Sequence, residues 1–434
     1  MIVLLYTEQF SPRLKYVADI LLRRMLDLEV QITHDAQLFK AFEGPKINYS
    51  VQEIGGISVN PCGLLHQMGV RDVQPAVSSW RGMVTLYPGK GDIPFDIFGG
   101  AFFLLTRYEE YLPHRTDKHG RFVPEESLAW RGHFLDRPLV DEWSIELLKM
   151  LNERFGPTEG KRPEFSYLST IDIDSAFAYR YKGLMRMLGG FLKDIRMVDI
   201  RNFRDRLMSV LRLEADPFDT YSLMHSIHTE HGADAIFFFL LADYGHNDKA
   251  VSYRSTELQK LIRRLGDYYR LGIHPGFQSN RDERRLKEEM RRLRDISRRE
   301  VERSRQHFLM LSFPETYRRL VSLGIKEDYS MGYAPEAGFR ASTCTPFPFY
   351  DIEAEKETTL MIHPFAVMDA TLNVYLGYSP DDAILKVKEL EDKVRAVGGQ
   401  FITLWHNESL SEKWNWKGWQ EVYRQAVASG SAKN

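Results

Sequence analysis

The chain has 434 residues, room for two or three domains at ~100–200 residues each. Its 58 Lys and Arg residues nearly balance 60 Asp and Glu residues, for a formal charge of -2, which argues against generic nucleic-acid binding, where a basic excess is usual. Two cysteines, Cys62 and Cys344, are too few for a disulfide scaffold or a four-cysteine zinc site, and a hydrophobic share of 43% supplies large cores without either.

The first residues, Met1 to Tyr6, form a short apolar run without the basic start, length or cleavage site of a signal peptide. No stretch approaches ~18 consecutive apolar residues. These features predict a cytoplasmic, reduced, soluble protein with no membrane span and no nucleic-acid partner.

Residues 1–160 read as a mixed α/β domain of unassigned role. A strand is expected at Ile2–Tyr6, a helix at Leu14–Leu26, and short strands near Val51–Val59 and Val84–Leu86. Phe95–Leu112 is strongly apolar, a helix runs from about Glu142 to Phe155, and Gly156–Gly160 has the composition of a linker. His114, His119 and His133 are scattered among loop-like residues and form no catalytic grouping.

From residue 161 onward, strands alternate with helices. Strands are expected at Phe165–Ile173, Ala235–Leu241, Leu271–His274, His307–Leu311, Thr359–Ile362 and Phe401–His406, with helices such as Tyr221–Glu230 and Ser255–Tyr269 between them. Such alternation favours a parallel sheet or a β/α barrel, whose sites collect at the C-terminal ends of the strands. Residues 281–305 hold 11 basic and 7 acidic side chains, with Leu286, Met290, Leu293 and Ile296 at the spacing of a solvated outer helix. The basic, amphipathic stretch 183–213 is expected to be a packed helical insertion, with a partner surface or a membrane-touching element as alternatives.

Polar residues recur at the predicted strand ends. The segment Tyr167–Asp174 delivers Asp172 and Asp174, and two such carboxylates can divide labour between binding a cation and taking a proton from water. Phosphatases and nucleotide-sugar transferases use the same D-x-D pair. His274 ends a strand before Pro275 and Gly276, His406 ends another, and His307 follows the charged helix. Gly338-Phe-Arg340 and the segment His363–Asp369 complete the set.

Over residues 162–410 these motifs, in this order, resemble the polysaccharide deacetylase (NodB-homology) family of carbohydrate esterases. Thr170-Ile-Asp-Ile-Asp174 stands where the family has T-F-D-D, Gly272-Ile-His274 matches a Gly-x-His motif, and Leu404-Trp-His406 matches an L-x-H motif. Gln278 occupies the place of the family's second His. The layout is similar to a divergent bacterial branch carrying an extra N-terminal domain.

The resemblance implies a distorted (β/α) barrel over 161–434 that hydrolyses an N-acetyl group on a sugar or glycan precursor, a C–N bond outside peptides. It implies a divalent metal, zinc by preference, held by Asp174 and His274. His307 is the first candidate for the third ligand, with Ser279 and Gln278 as weaker ones. Asp172 is implied as general base and His406 as general acid. Arg340 and Asp369 would support them, with Arg303 or Arg305 as alternatives to Arg340. Two other functions stay open: a deacetylase-like protein that has lost catalysis and binds glycans or partners, and phosphoryl or glycosyl transfer through the D-x-D pair.

Overall fold

The computed structural model describes residues 2–432. Strands β1 (Ile2–Thr7), β2 (Glu29–Thr33), β3 (Lys46–Tyr49) and β4 (Ile57–Ser58) form a parallel sheet in the order β2–β1–β3–β4. The strand expected over 51–59 is reduced to β4. The helix expected over 14–26 begins at Pro12, where Ser11 caps it by accepting the Leu14 N–H at 3.3 Å, and passes at Asp19 into a π-helical turn ending at Arg24. A hairpin of β5 (Val77–Trp80) and β6 (Met83–Leu86) follows. The apolar stretch near residue 100 is the helix Ile97–Leu105, buried on every side.

Residues 156–165 contain no helix or strand. Beyond them come β7 (Ser166–Ile173), β8 (Ala235–Phe239), β9 (Arg270–Ile273), β10 (Arg303–Ser304), β11 (Glu327–Asp328), β12 (Phe347–Asp351), β13 (Lys356–Ile362), β14 (Val367–Met368) and β15 (Gln400–His406). They pair as one nine-stranded sheet in the order β12–β13–β11–β10–β9–β8–β7–β15–β14. Only β12 is antiparallel to its neighbour.

The sequence leads to a distorted (β/α) barrel; the mixed α/β fold is present, but among the described residues no ladder joins β12 to β14 and the sheet does not close. One edge strand, β14, is two residues long, and the other, β12, turns back on β13. Neither edge offers the other a parallel ladder. A second correction concerns His307–Leu311. The strand lies earlier, at Arg303–Ser304, and His307–Leu309 is a 3₁₀ turn because Phe308 (φ 59°) and Leu309 (φ 55°) are left-handed, a conformation no strand accommodates.

The middle of this sheet is buried on both faces. Every residue of β8 and all of β7 after Ser166 are buried, as expected of parallel strands covered by helices on each side. Gly272 in β9 answers a close approach: a Cβ there would stand 2.4 Å from the Phe238 ring. Register then positions the site. Asp172 on β7 pairs with His406 on β15 and with Phe238 on β8, while His274 and Arg305 are the first residues past β9 and β10.

The segment before residue 156 packs directly on this sheet. Arg13 Nε donates to Glu355 at 3.0 Å, and the Tyr16 hydroxyl donates to the Pro348 carbonyl at 2.8 Å. A single buried apolar cluster runs from Val3 to Val427. No helix among the described residues is long and apolar enough to cross a membrane.

Candidate metal centre and active site

Asp174, His274 and His307 each turn one ligand atom inward, and these three atoms lie within 4.8 Å of one another. His274 Nε2 is 3.2 Å from Asp174 Oδ1, and His307 Nε2 is 3.4 Å from Oδ2. Each imidazole is fixed from behind. His274 Nδ1 donates to the Arg305 carbonyl at 2.6 Å, which leaves the lone pair on Nε2. His307 Nδ1 lies 2.9 Å from Oδ1 of Asp248, a buried carboxylate that also accepts the Phe277 N–H at 3.0 Å.

Charge on these groups follows from that packing. Burial opposes a charged His307, but the carboxylates of Asp174 and Asp248, one facing each ring nitrogen, outweigh it and push its pKa up to about 9. Burial likewise opposes ionisation of Asp174, and chiefly the charge on His307 overcomes it, holding the carboxyl well below the usual range. The cluster therefore favours positive charge between Asp174 and the histidines.

The three residues fit a divalent cation. Asp174 Oδ1 is a buried oxygen with no hydrogen-bond partner, the donors are two nitrogens and a carboxylate, and both histidines carry the outer hydrogen bonds usual for metal ligands. Ser279 and Gln278 stand elsewhere. The Ser279 hydroxyl donates to buried Glu289 at 2.6 Å, and Gln278 is exposed.

A cavity of about 190 Å³ opens over the cluster and is lined by Asp172, Asp174, His274, His307 and His406 together. Asp172 is buried; its Oδ1 accepts from Arg305 Nη1 at 3.1 Å, and its Oδ2 is 3.8 Å from His274 Nε2. Arg305 is itself held by the Tyr329 carbonyl (2.9 Å) and lies over the Phe238 ring at 4.8 Å, the ring for which Gly272 makes room. On the opposite side, Asp369 accepts twice from His406, from its backbone N–H (2.7 Å) and from Nδ1 (2.8 Å). Burial would lower the His406 pKa, but Asp369, with Asp174 and Asp172 behind it, holds it well above the usual value.

Arg340 is not brought into this group. Its guanidinium is buried against Glu110, which also accepts from Arg107 Nε at 2.8 Å, so Arg340 ties the N-terminal segment to the sheet. Of the alternatives, Arg303 pairs with Glu327, and Arg305 is the arginine at Asp172.

Several residues at the site carry no signal in the sequence, Asp248 and Arg121 among them. Asp248 lies in the loop after β8, nine residues beyond the strand's end, so the strand-end rule that singled out His274 does not reach it. Arg121 reaches the cavity rim from the N-terminal segment, donating from Nη1 to the Phe308 carbonyl at 3.1 Å. Nothing in its local sequence marks it.

Comparison with known proteins adds three findings. Residues 3–156 match a family of unknown function, DUF7033. No curated protein matches the chain. Among solved structures it is similar to a protein of Mycobacterium smegmatis named as a polysaccharide deacetylase, at 11% identity and a TM-score of 0.39, over 62% of this chain and 85% of that one. It is similar also to an allantoinase, at 11% identity and a TM-score of 0.38, over 63% and 89%. A polysaccharide deacetylase of Bacillus cereus is similar at 14% identity and a TM-score of 0.30, over 62% and 87%.

Proposed function

We propose that the chain is a metal-dependent hydrolase that removes the acetyl group from an N-acetylated sugar. One observation carries the reading: in a single cavity, a three-ligand cluster with outer-shell partners adjoins an Arg-bound carboxylate on one side and an Asp-bound histidine on the other. The sugar follows from the resemblance of Gly272-Ile-His274 and Leu404-Trp-His406 to the deacetylase motifs.

Asp174, His274 and His307 would hold the cation. When bound, it supplies Lewis acidity, polarising the acyl oxygen and acidifying water. Asp172 takes a proton from the attacking water on Oδ2, the oxygen that Arg305 leaves free. Arg305 fixes the orientation of that carboxylate, so the base reaches the water without reorganisation. His406, kept protonated by Asp369, gives its proton to the leaving nitrogen as the C–N bond breaks, and the products are acetate and a free amine.

Metal analysis of the purified protein, coupled to acetate release from a panel of N-acetyl sugars, tests the reading. About one divalent ion per chain with acetate release on at least one sugar is expected, following the three-ligand site. Metal-loaded protein that cleaves phosphoesters or nucleotide sugars instead would favour transfer chemistry, and protein that retains no ion would favour a binding role.

A further inference from the structure

The stretch 183–213 is a helical hairpin, Leu184–Arg196 and Ile200–Val210, that leaves the sheet after the C-terminal end of β7, the end on which Asp172 and Asp174 stand. Its inner side is well organised. Buried Asp194 accepts from Arg206 Nε and Asn202 at 2.6 Å each, and the Phe191 and Phe203 rings meet edge to face at 5.2 Å. Arg186 fastens the first helix to the carbonyls of Lys249 and Ala250 at 2.8 Å and lies over Tyr244 at 4.2 Å.

The outer side is apolar and open to water. On the first helix Leu184, Leu188, Leu192 and Ile195 form one exposed stripe at i, i+4, i+8 and i+11, and Ile200 and Leu207 on the second, with Leu211 just past its end, share another side with Arg204, which turns to Glu214 at 3.0 Å. Met197 and Val198, in the connection, are 67% and 77% exposed. Among the described residues, nearly half of the exposed large apolar side chains lie in this one hairpin, a clustering that scattered surface hydrophobics do not show.

Charge settles what such a face fits. The stretch holds seven basic and three acidic residues, a net +4. Two of the acids are turned inward: Asp194 onto Arg206, and Asp205 onto Lys413 at 2.9 Å. Lys193, Arg196, Arg201 and Arg212 are exposed and make no side-chain hydrogen bond or ion pair among the described residues. An apolar face flanked by free cations complements the boundary between acyl chains and anionic headgroups, where interfacial helices lie.

We propose that the hairpin docks the protein on a bilayer surface rich in anionic lipid, its apolar stripes entering the headgroup boundary and Lys193, Arg196, Arg201 and Arg212 facing the phosphates.

Vesicle flotation with the full chain tests this, using vesicles of phosphatidylcholine alone and of phosphatidylcholine and phosphatidylglycerol in equal parts. The protein is expected to float with the mixed vesicles at low salt and far less with the neutral ones. Combining Lys193→Glu, Arg196→Glu and Arg201→Glu should lower the partition by about a hundredfold. The apolar variant Leu188→Ser, Leu192→Ser, Ile195→Ser should abolish flotation, and Val198→Trp should blue-shift its fluorescence on mixed vesicles. All of these positions are exposed, and thermal melting on each variant separates loss of docking from loss of fold. No flotation of the wild type at low salt, or flotation that both variants retain, overturns the proposal. So does a dimer in sedimentation that the apolar variant dissociates while vesicles leave the wild type unbound, since a second copy would then cover the face.

Discussion

His307 Nδ1 sits 2.9 Å from Asp248 Oδ1, so a buried carboxylate stands behind the one candidate ligand that comes from a turn rather than from the residue after a strand. Such an outer partner fixes ring orientation and raises ligand basicity. Asp248→Asn should weaken metal retention by about 10–100-fold, and His307→Ala should weaken it further, because water replaces imidazole. Competition against a graded chelator measures both. Unchanged affinity in both variants would remove His307 from the metal centre.

Arg305 and Asp172 form a buried ion pair at 3.1 Å with almost no solvent contact on either side. Arg305→Met leaves the carboxylate buried without its charge partner, a change that typically costs about 3–5 kcal/mol. Denaturant unfolding should show that loss. Arg305→Lys keeps the charge but not the fork that also reaches the Tyr329 carbonyl, so it should retain more stability than Arg305→Met while still losing turnover.

The pH profile reports on His406. Its raised pKa keeps the acid protonated through neutrality, so activity is present below that pKa and is lost as pH rises through it. Asp369→Asn removes the negative charge that, against burial, sustains the shift. The alkaline limb of kcat/KM should therefore move to lower pH in the variant, while metal content stays the same. An unmoved limb would assign that limb to another group.

His228 predicts acid sensitivity of the fold itself. It is buried against Tyr423, sharing a 2.5 Å hydrogen bond through Nε2, and burial, reinforced by His225, lowers its pKa from 6.5 to about 4. As pH falls through 6.5, the unfolded chain binds a proton that the folded chain refuses. Stability therefore declines between about pH 6.5 and 4, by up to ~3 kcal/mol. His228→Gln should flatten the dependence of the melting temperature over that window.

Much of the site was legible because parallel strands place their terminal residues on one rim. Asp172, Asp174, His274 and His406 all stand at or just past the ends of strands that apolar runs predict, and the structure gathers them around one cavity. What the sequence concealed depends on contacts between distant segments. Arg340, Arg303 and Arg305 are all arginines near apolar strands, and only their long-range partners separate them: Glu110 for Arg340, Glu327 for Arg303 and Asp172 for Arg305. Phe308-Leu-Met has the apolarity of a strand, yet left-handed φ values at Phe308 and Leu309 turn it into the bend that presents His307. Sheet closure is likewise invisible in local periodicity, since it depends on how the edge strands β12 and β14 end.

The central claim separates two carboxylates with a single residue between them, and a paired measurement on Asp172→Asn and Asp174→Asn tests it most directly: metal stoichiometry and acetate release on the same preparations. Asp172→Asn keeps shape and its place beside Arg305 but cannot take a proton. It should keep its metal and lose about 10²–10⁴ in rate. Asp174→Asn should lose metal and activity together, because a neutral amide is a poor ligand for a divalent cation. Full turnover in Asp172→Asn, or metal lost from Asp172→Asn and retained by Asp174→Asn, would contradict the account.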